Sequence, residues 1–199
     1  MIDRRPFITD PRHLAAVAGS AWLVLRPGPD LEAAFEQFQE VLRKELAGED
    51  VSFPRPHVSI QGFDTEDERA LVAVVDAWAM AMPPLSIRTL RLTGFPAPDQ
   101  TAVIEIEEDP QLRSALLNLR ELWVTEGLSV ISEIAPEDWT FHLSVAYCSA
   151  ISAAKWKELM QLASATEVPR IRCTVPDAEL VAFDGGQERL VRTFPLTGS

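Results

Sequence analysis

The sequence predicts an α+β protein, and three observations carry that expectation. Short stretches of strand-like alternation are interleaved with helical stretches that have one apolar face. The order strand–helix–strand–helix–strand occurs twice along the chain. Residues suited to caps and turns sit at most of the boundaries.

Residues 21–25 are apolar and stop at Arg26-Pro27-Gly28-Pro29, a strand and its end. Residues 31–46 place Leu31, Ala34, Phe35, Phe38, Leu42 and Leu46 on one helical face, with Asp30 as N-cap and Gly48 past the end. A short strand follows over 57–63. Thr65 and Glu68 form a capping box for a helix through Leu71, Val75, Trp78 and Met82, closed by Pro83-Pro84. Alternation over 85–95 and 101–107 gives two more strands. Asp109-Pro110 opens a helix through Leu112, Leu116, Leu119 and Trp123 that ends at Gly127. A loop containing Pro136 leads to a strand over 140–147, and Ser152 caps a last helix through Trp156, Leu159, Met160 and Ala163. Two closing strands flank Asp184-Gly185-Gly186, which is hairpin-turn chemistry. The repeated order hints at an internal duplication, with helices covering one face of each sheet.

The chain has 199 residues, which suits one domain over 1–199 built as two small lobes sharing a core. Hydrophobic residues make up 47% and charged residues 24%, a globular composition that argues against disorder. The formal net charge is −12, so attraction to a long nucleic acid or an anionic membrane is not expected to be the main business. Two cysteines, Cys148 and Cys173, are too few for a disulfide framework and read as reduced thiols of a cytoplasmic protein. No apolar run approaches the roughly 18 residues of a membrane-spanning helix. Residues 14–25 faintly imitate a signal peptide, but they run into Arg26-Pro27 instead of a small-residue cleavage site.

The chemistry concentrates in two of the three histidines. One sits in Pro56-His57-Val58-Ser59-Ile60, the other in Phe141-His142-Leu143-Ser144-Val145. Each falls in the second strand of its half. Side chains alternate faces along a strand, so His57 shares a face with Ser59, and His142 with Ser144. Val58 and Ile60, and Leu143 and Val145, point the other way, where a helix can cover them. Arg55 and Gln61 continue the polar face of the first strand, and Thr140 that of the second. Such faces suit a wet cleft. Brought together, the two strands supply two imidazoles, one able to act as base while the other acts as acid. Two hydroxyls can donate to phosphate oxygens where charge accumulates. Nothing in the scheme requires a metal or a cofactor. A lone His-x-Ser is a weak signal; two copies in matching elements are a specific one. His13 lacks this context and reads as a surface or N-terminal helix residue.

These paired motifs resemble those of the 2H phosphoesterase superfamily, which includes the 2′-5′ RNA ligase-like proteins and RNA 2′,3′-cyclic phosphodiesterases. The mark of that superfamily is two His-h-[Ser/Thr]-h motifs, h being hydrophobic, and both are complete here. The resemblance spans residues 21 to about 194. It implies a bilobal fold with pseudo-two-fold duplication, two antiparallel sheets enclosing a central cleft and helices on the outer faces. It implies metal-independent hydrolysis of a cyclic phosphodiester, often a 2′,3′-cyclic end, leaving a 2′-phosphate. By that analogy His57 protonates the leaving oxygen, His142 activates water, and Ser59 and Ser144 hold the phosphate. The implied partner is a small nucleotide or a short RNA end, taken up by a monomer. The chain reads Val145-Ala146-Tyr147 where some RNA-processing relatives carry an arginine at the last position. Phosphate charge then falls to Arg55, which shares the His57 face, or to Arg88 and Arg91.

Other chemistries fit less well. A metal site from His57, His142 and Glu133 or Asp138 lacks a recognised ligand spacing, and the G-x-S-x-G, P-loop and dinucleotide fingerprints are absent. Trp139 and Phe141 flank the second motif, where core packing is the expected role and base stacking the alternative. A non-catalytic nucleotide- or cyclic-phosphate-binding module using the same cleft is the rival from another class.

Overall fold

Strands with one apolar face must pair and be covered, and in the computed structural model of this chain they do both. Residues 4–64, 67–131 and 134–198 are described. The strands are β1 (Ser20–Leu25), β2 (Val58–Asp64), β3 (Leu85–Phe95), β4 (Thr101–Ile106), β5 (His142–Tyr147), β6 (Arg172–Val175), β7 (Asp177–Asp184) and β8 (Gln187–Pro195). They form one eight-stranded antiparallel sheet in the order β6-β3-β4-β5-β2-β1-β7-β8. The helices are α1 (Pro11–Ala16), α2 (Pro29–Glu45), α3 (Glu68–Ala81), α4 (Pro110–Glu126) and α5 (Ala153–Ala165).

The α+β class stands, but the two expected sheets are the halves of one sheet. They meet where β2 lies beside β5, and among the described residues the ladder there has a single residue pair, Val58 with Leu143. The other ladders run over many residues: β1 pairs with β2 and β7, and β4 with β3 and β5. The halves in space are also not the halves in sequence. From the first half in sequence, β3 pairs with β4, and from the second, β7 pairs with β1. Short connections explain the exchange, because residues 96–100 allow β3 only to fold back on β4. The strand β6 and the helix α1 lie in segments to which the sequence pattern assigns no element.

Four helices cover one face of the sheet. Leu31, Phe35 and Leu42 of α2, Leu71, Val75 and Trp78 of α3, Leu112, Leu116 and Leu119 of α4, and Leu159 of α5 join Leu23, Val58, Ile60, Ile104, Leu143 and Val145 in one buried core. Trp78 donates its Nε1–H to the Ala115 carbonyl at 2.8 Å, tying α3 to α4. Pro29 opens α2 one residue before the expected Asp30, and Gly28 at the N-cap offers no side chain. Asp30 then stands in the first turn, where a carboxylate favours the positive end of the helix dipole. Thr65 of the expected capping box lies outside the described residues; Asp67 caps α3 by accepting from the Ala70 amide at 2.9 Å. Asp109 and Ser152 cap α4 and α5 in the same way, and Gly127 ends α4 in the left-handed conformation.

The opposite face of the sheet stays largely uncovered and forms the cleft. Only its β1–β7 side carries a second apolar cluster, made by Phe7, Ile8, Leu14, Val24, Val181 and Phe183. There Trp22 lies over Gly62, where an added Cβ would meet the indole at 2.8 Å. No helix among the described residues is long and apolar enough to cross a membrane.

Candidate active site

Both motif strands are held from behind by one side chain. Gln39 of α2 is buried and donates from Nε2 to the Pro54 carbonyl at 2.6 Å and the Val145 carbonyl at 3.0 Å. Those carbonyls lie just before the first motif and within the second. On the front, His57, Ser59, His142 and Ser144 all line one cleft of about 580 Å³. The structure therefore brings together four of the five residues singled out by the pattern.

The two imidazoles are anchored identically. Nδ1 of His57 lies 2.9 Å from the carbonyl oxygen of Arg55, and Nδ1 of His142 lies 2.8 Å from that of Thr140. A carbonyl only accepts, so each Nδ1 carries the hydrogen, and each neutral ring keeps its lone pair on Nε2. Both rings are thus set in the tautomer that leaves Nε2 free to work in the cleft.

Their surroundings differ. His57 is only 9% exposed. The Phe7 ring lies 4.7 Å from it, and the guanidinium of Arg26 lies 4.1 Å from the Phe7 ring centre. The segment carrying Phe7 is clamped by Glu188 of β8, whose buried carboxylate accepts from the Phe7 amide at 2.7 Å, the Ile8 amide at 3.1 Å and Arg4 at 2.7 Å. Burial, outweighing the carbonyl bond, pulls the proton affinity of His57 down to about 4, with smaller contributions from the charges of His142, His13 and Arg26. His142 is partly exposed and stands edge-on to Phe95 at 4.8 Å. Burial lowers its pKa as well, against the same kind of carbonyl bond.

Three expectations need correction. The side chain of Arg55 is not in the cleft: its guanidinium pairs with Glu32 of α2 at 3.4 Å. Its backbone is what serves the site, the amide donating to the Phe7 carbonyl at 2.8 Å while the carbonyl holds His57. The fallback arginines also lie elsewhere, Arg88 paired with Glu107 and Arg91 with Glu105. Gln61 leaves the polar face because β2 bulges: Leu23 opposes Gln61 while Val24 opposes Ser59, so Ile60 is an extra residue and the alternation flips. Gln61 is buried beside the core residue Leu23.

Two residues that the pattern passes over stand in the cleft. α1 carries His13 to it, and His13 stacks on Tyr147 with centroids 3.8 Å apart. Tyr147 stands on β5 with Ser144, and burial raises its phenol to about 12, the Ser144 hydroxyl acting in the opposite direction. Burial lowers the His13 pKa, with Asp10 opposing. Of the two flanking aromatics, Phe141 is core and Trp139 lines the cleft. Glu133, weighed for a metal site, lies outside the described residues; among those described, no group of three or more His, Cys, Asp or Glu is placed to hold a metal ion.

The comparisons with known proteins agree with this geometry. The family model of the 2′-5′ RNA ligase superfamily matches residues 18–187, a stretch containing both motifs. The chain belongs to the 2′-5′ RNA ligase superfamily. Solved structures of similar fold include TT0787 of Thermus thermophilus, 19% identical with a TM-score of 0.64 over 90% of this chain and 99% of that one. The Escherichia coli LigT structure complexed with 3′-AMP is 13% identical with a TM-score of 0.63, covering 90% of this chain and 98% of that one. Usb1 of Kluyveromyces marxianus is 12% identical with a TM-score of 0.54, covering 91% and 100%. At these identities the likeness is one of fold. A search of curated protein sequences finds no match.

Proposed function

We propose that the protein is a cyclic phosphodiesterase that opens 2′,3′-cyclic phosphates of nucleotides or short RNA ends by two-histidine acid–base catalysis. One observation carries the reading: both rings tie Nδ1 to a backbone carbonyl two residues back, and both therefore offer Nε2 to one cleft. A displacement at phosphorus needs a base on the attacking water and an acid on the departing oxygen.

The unequal burial of the two rings supports one division of roles. A bound anion raises the proton affinity of both rings, and the first proton goes to the less buried one. His142 then holds the proton and His57 stays neutral, the reverse of the roles implied by the resemblance. Water attacks phosphorus and gives its proton to Nε2 of His57. The bond from phosphorus to the 3′ oxygen breaks, and that oxygen takes the proton from Nε2 of His142, leaving a 2′-phosphate. Exchange with solvent resets both rings. Ser59 and Ser144 donate to the non-bridging oxygens as charge builds on them. No step needs a metal ion.

The test is incubation with 2′,3′-cyclic nucleotides in EDTA, with products separated by chromatography. The reading expects a 2′-phosphate product, undiminished turnover in EDTA and a bell-shaped pH–rate profile. Unchanged turnover in His57→Gln or His142→Gln overturns it. Nucleotide binding without product at any pH favours the binding module instead.

A further inference from the structure

The walls of the cleft restrict what can reach the two rings. We infer that the site takes ligands with a single phosphate group on an uncharged, flat body and selects against any second phosphate, which narrows the proposed substrates to nucleoside cyclic phosphates over RNA ends, whose next phosphodiester is a second phosphate. This rests on the functional reading for the chemistry, but its basis is the lining itself.

Among the described residues that line the cleft there is no lysine and no arginine. None of the residues left undescribed is a lysine or arginine either. Three arginines near the cleft are paired with carboxylates. Arg26, the one whose charge reaches His57, grips both oxygens of Glu179 at 2.9 and 3.2 Å. Arg4 spans Glu179 and Glu188, and Arg55 turns away to Glu32. The cleft does hold two exposed carboxylates, Asp99 between β3 and β4 and Asp138 before β5. Its cationic capacity is thus confined to imidazoles: His57 and His142 at the β2–β5 junction, and His13 stacked on Tyr147.

The rest of the lining is largely apolar and comes from both halves of the sheet. Phe7, Trp22 and Phe183 stand on the β1–β7 side, and Phe95 and Trp139 on the β3–β5 side. A phosphate at the histidines leaves the remainder of its molecule lying between these aromatic walls. A flat ring gains there by burial and stacking. A further phosphate meets no cation, faces Asp99 and Asp138, and sits in the field of a chain of net charge −12. A phosphate-tracking groove for a long strand would instead be lined with cations.

Calorimetry with two probes tests the selection apart from catalysis: 2′-AMP and adenosine 2′,5′-bisphosphate, at low and at high salt. The expected result is that 2′-AMP binds at least about tenfold more tightly at low salt, with the gap narrowing at high salt as the repulsion is screened. In the Asp99→Asn/Asp138→Asn variant, which leaves the histidines in place, the gap is expected to shrink at least about threefold. With cyclic substrates, a 5′-phosphate is expected to lower kcat/KM by a similar factor. Equal or tighter binding of the bisphosphate, or no binding of 2′-AMP, overturns the inference. Selective binding of 2′-AMP with no turnover of any cyclic phosphate upholds it and sinks the hydrolytic reading alone.

Discussion

The strands β2 and β5 carry the same four-residue pattern and the same carbonyl anchor, yet their histidines live differently. His57 lies under Phe7, in a segment pinned by Glu188, with Arg26 stacked on that ring. His142 has the edge of Phe95 against it and keeps partial contact with solvent. The difference teaches that a duplicated motif sets geometry, while the neighbours set chemistry. In the proposed mechanism two equivalent rings would compete for one proton, whereas two unequal ones divide the work.

The largest expected effect comes from removing either ring. His57→Gln and His142→Gln are each expected to lower kcat/KM by about 10²- to 10⁴-fold, the usual worth of a positioned acid or base. The double variant is expected to fall little further, because the pair acts as a unit. Thermal melts show whether the variants stay folded. Near-additive losses would break the picture of a divided pair.

The next effect separates the two rings by pH. In the unfolded chain His57 takes up a proton near its ordinary value of 6.5, while in the fold it resists until about 4. The folded state therefore binds fewer protons, and stability falls as pH drops through that window and levels off below it. The full loss from this ring is about 3 kcal/mol. Denaturant melts between pH 7 and 4 are expected to show the slope, and His57→Gln to flatten it more than His142→Gln. An equal flattening by both variants would erase the distinction between deep and shallow rings.

Serine substitutions sharpen the comparison further. Ser59→Ala and Ser144→Ala are each expected to cost about ten- to hundredfold in kcat, with KM changing less, if their hydroxyls act on developing charge. Tyr147→Phe is expected to reproduce a fraction of the Ser144→Ala loss and to leave the contribution of Ser59 intact. The smallest effect belongs to Arg55. Its partly exposed pair with Glu32 is worth about 0–1 kcal/mol, so Arg55→Ala is expected to keep kcat/KM within about twofold. A large loss would return its guanidinium to the cleft.

Much of this is legible in the sequence, and the parts that are not have physical reasons. Seven of the eight strands, the four long helices and the His-Ser faces follow from periods of two and 3.6, which the chain displays locally. Gln61 is misplaced by alternation because a bulge is a property of two strands, and Leu23 and Val24, which reveal it, lie far away in sequence. Arg55 is misplaced because the carboxylate that draws its guanidinium, Glu32 on α2, lies far away in sequence. His13 and Tyr147 escape the pattern because α1 is a helix of six residues whose only meaning is where it docks. The exchanged strands β3 and β7 follow from connection length, a signal that periodicity alone does not use.

Val58 with Leu143, and Ser52 with Tyr147, pair the chain segments that carry the two motifs, and both histidines lie beside that seam. The two wings of the sheet are joined again at Pro176, the single residue between β6 and β7. Gln39 reaches both motif segments from behind and braces the seam between them. A change at Gln39 is therefore felt by both histidine segments at once.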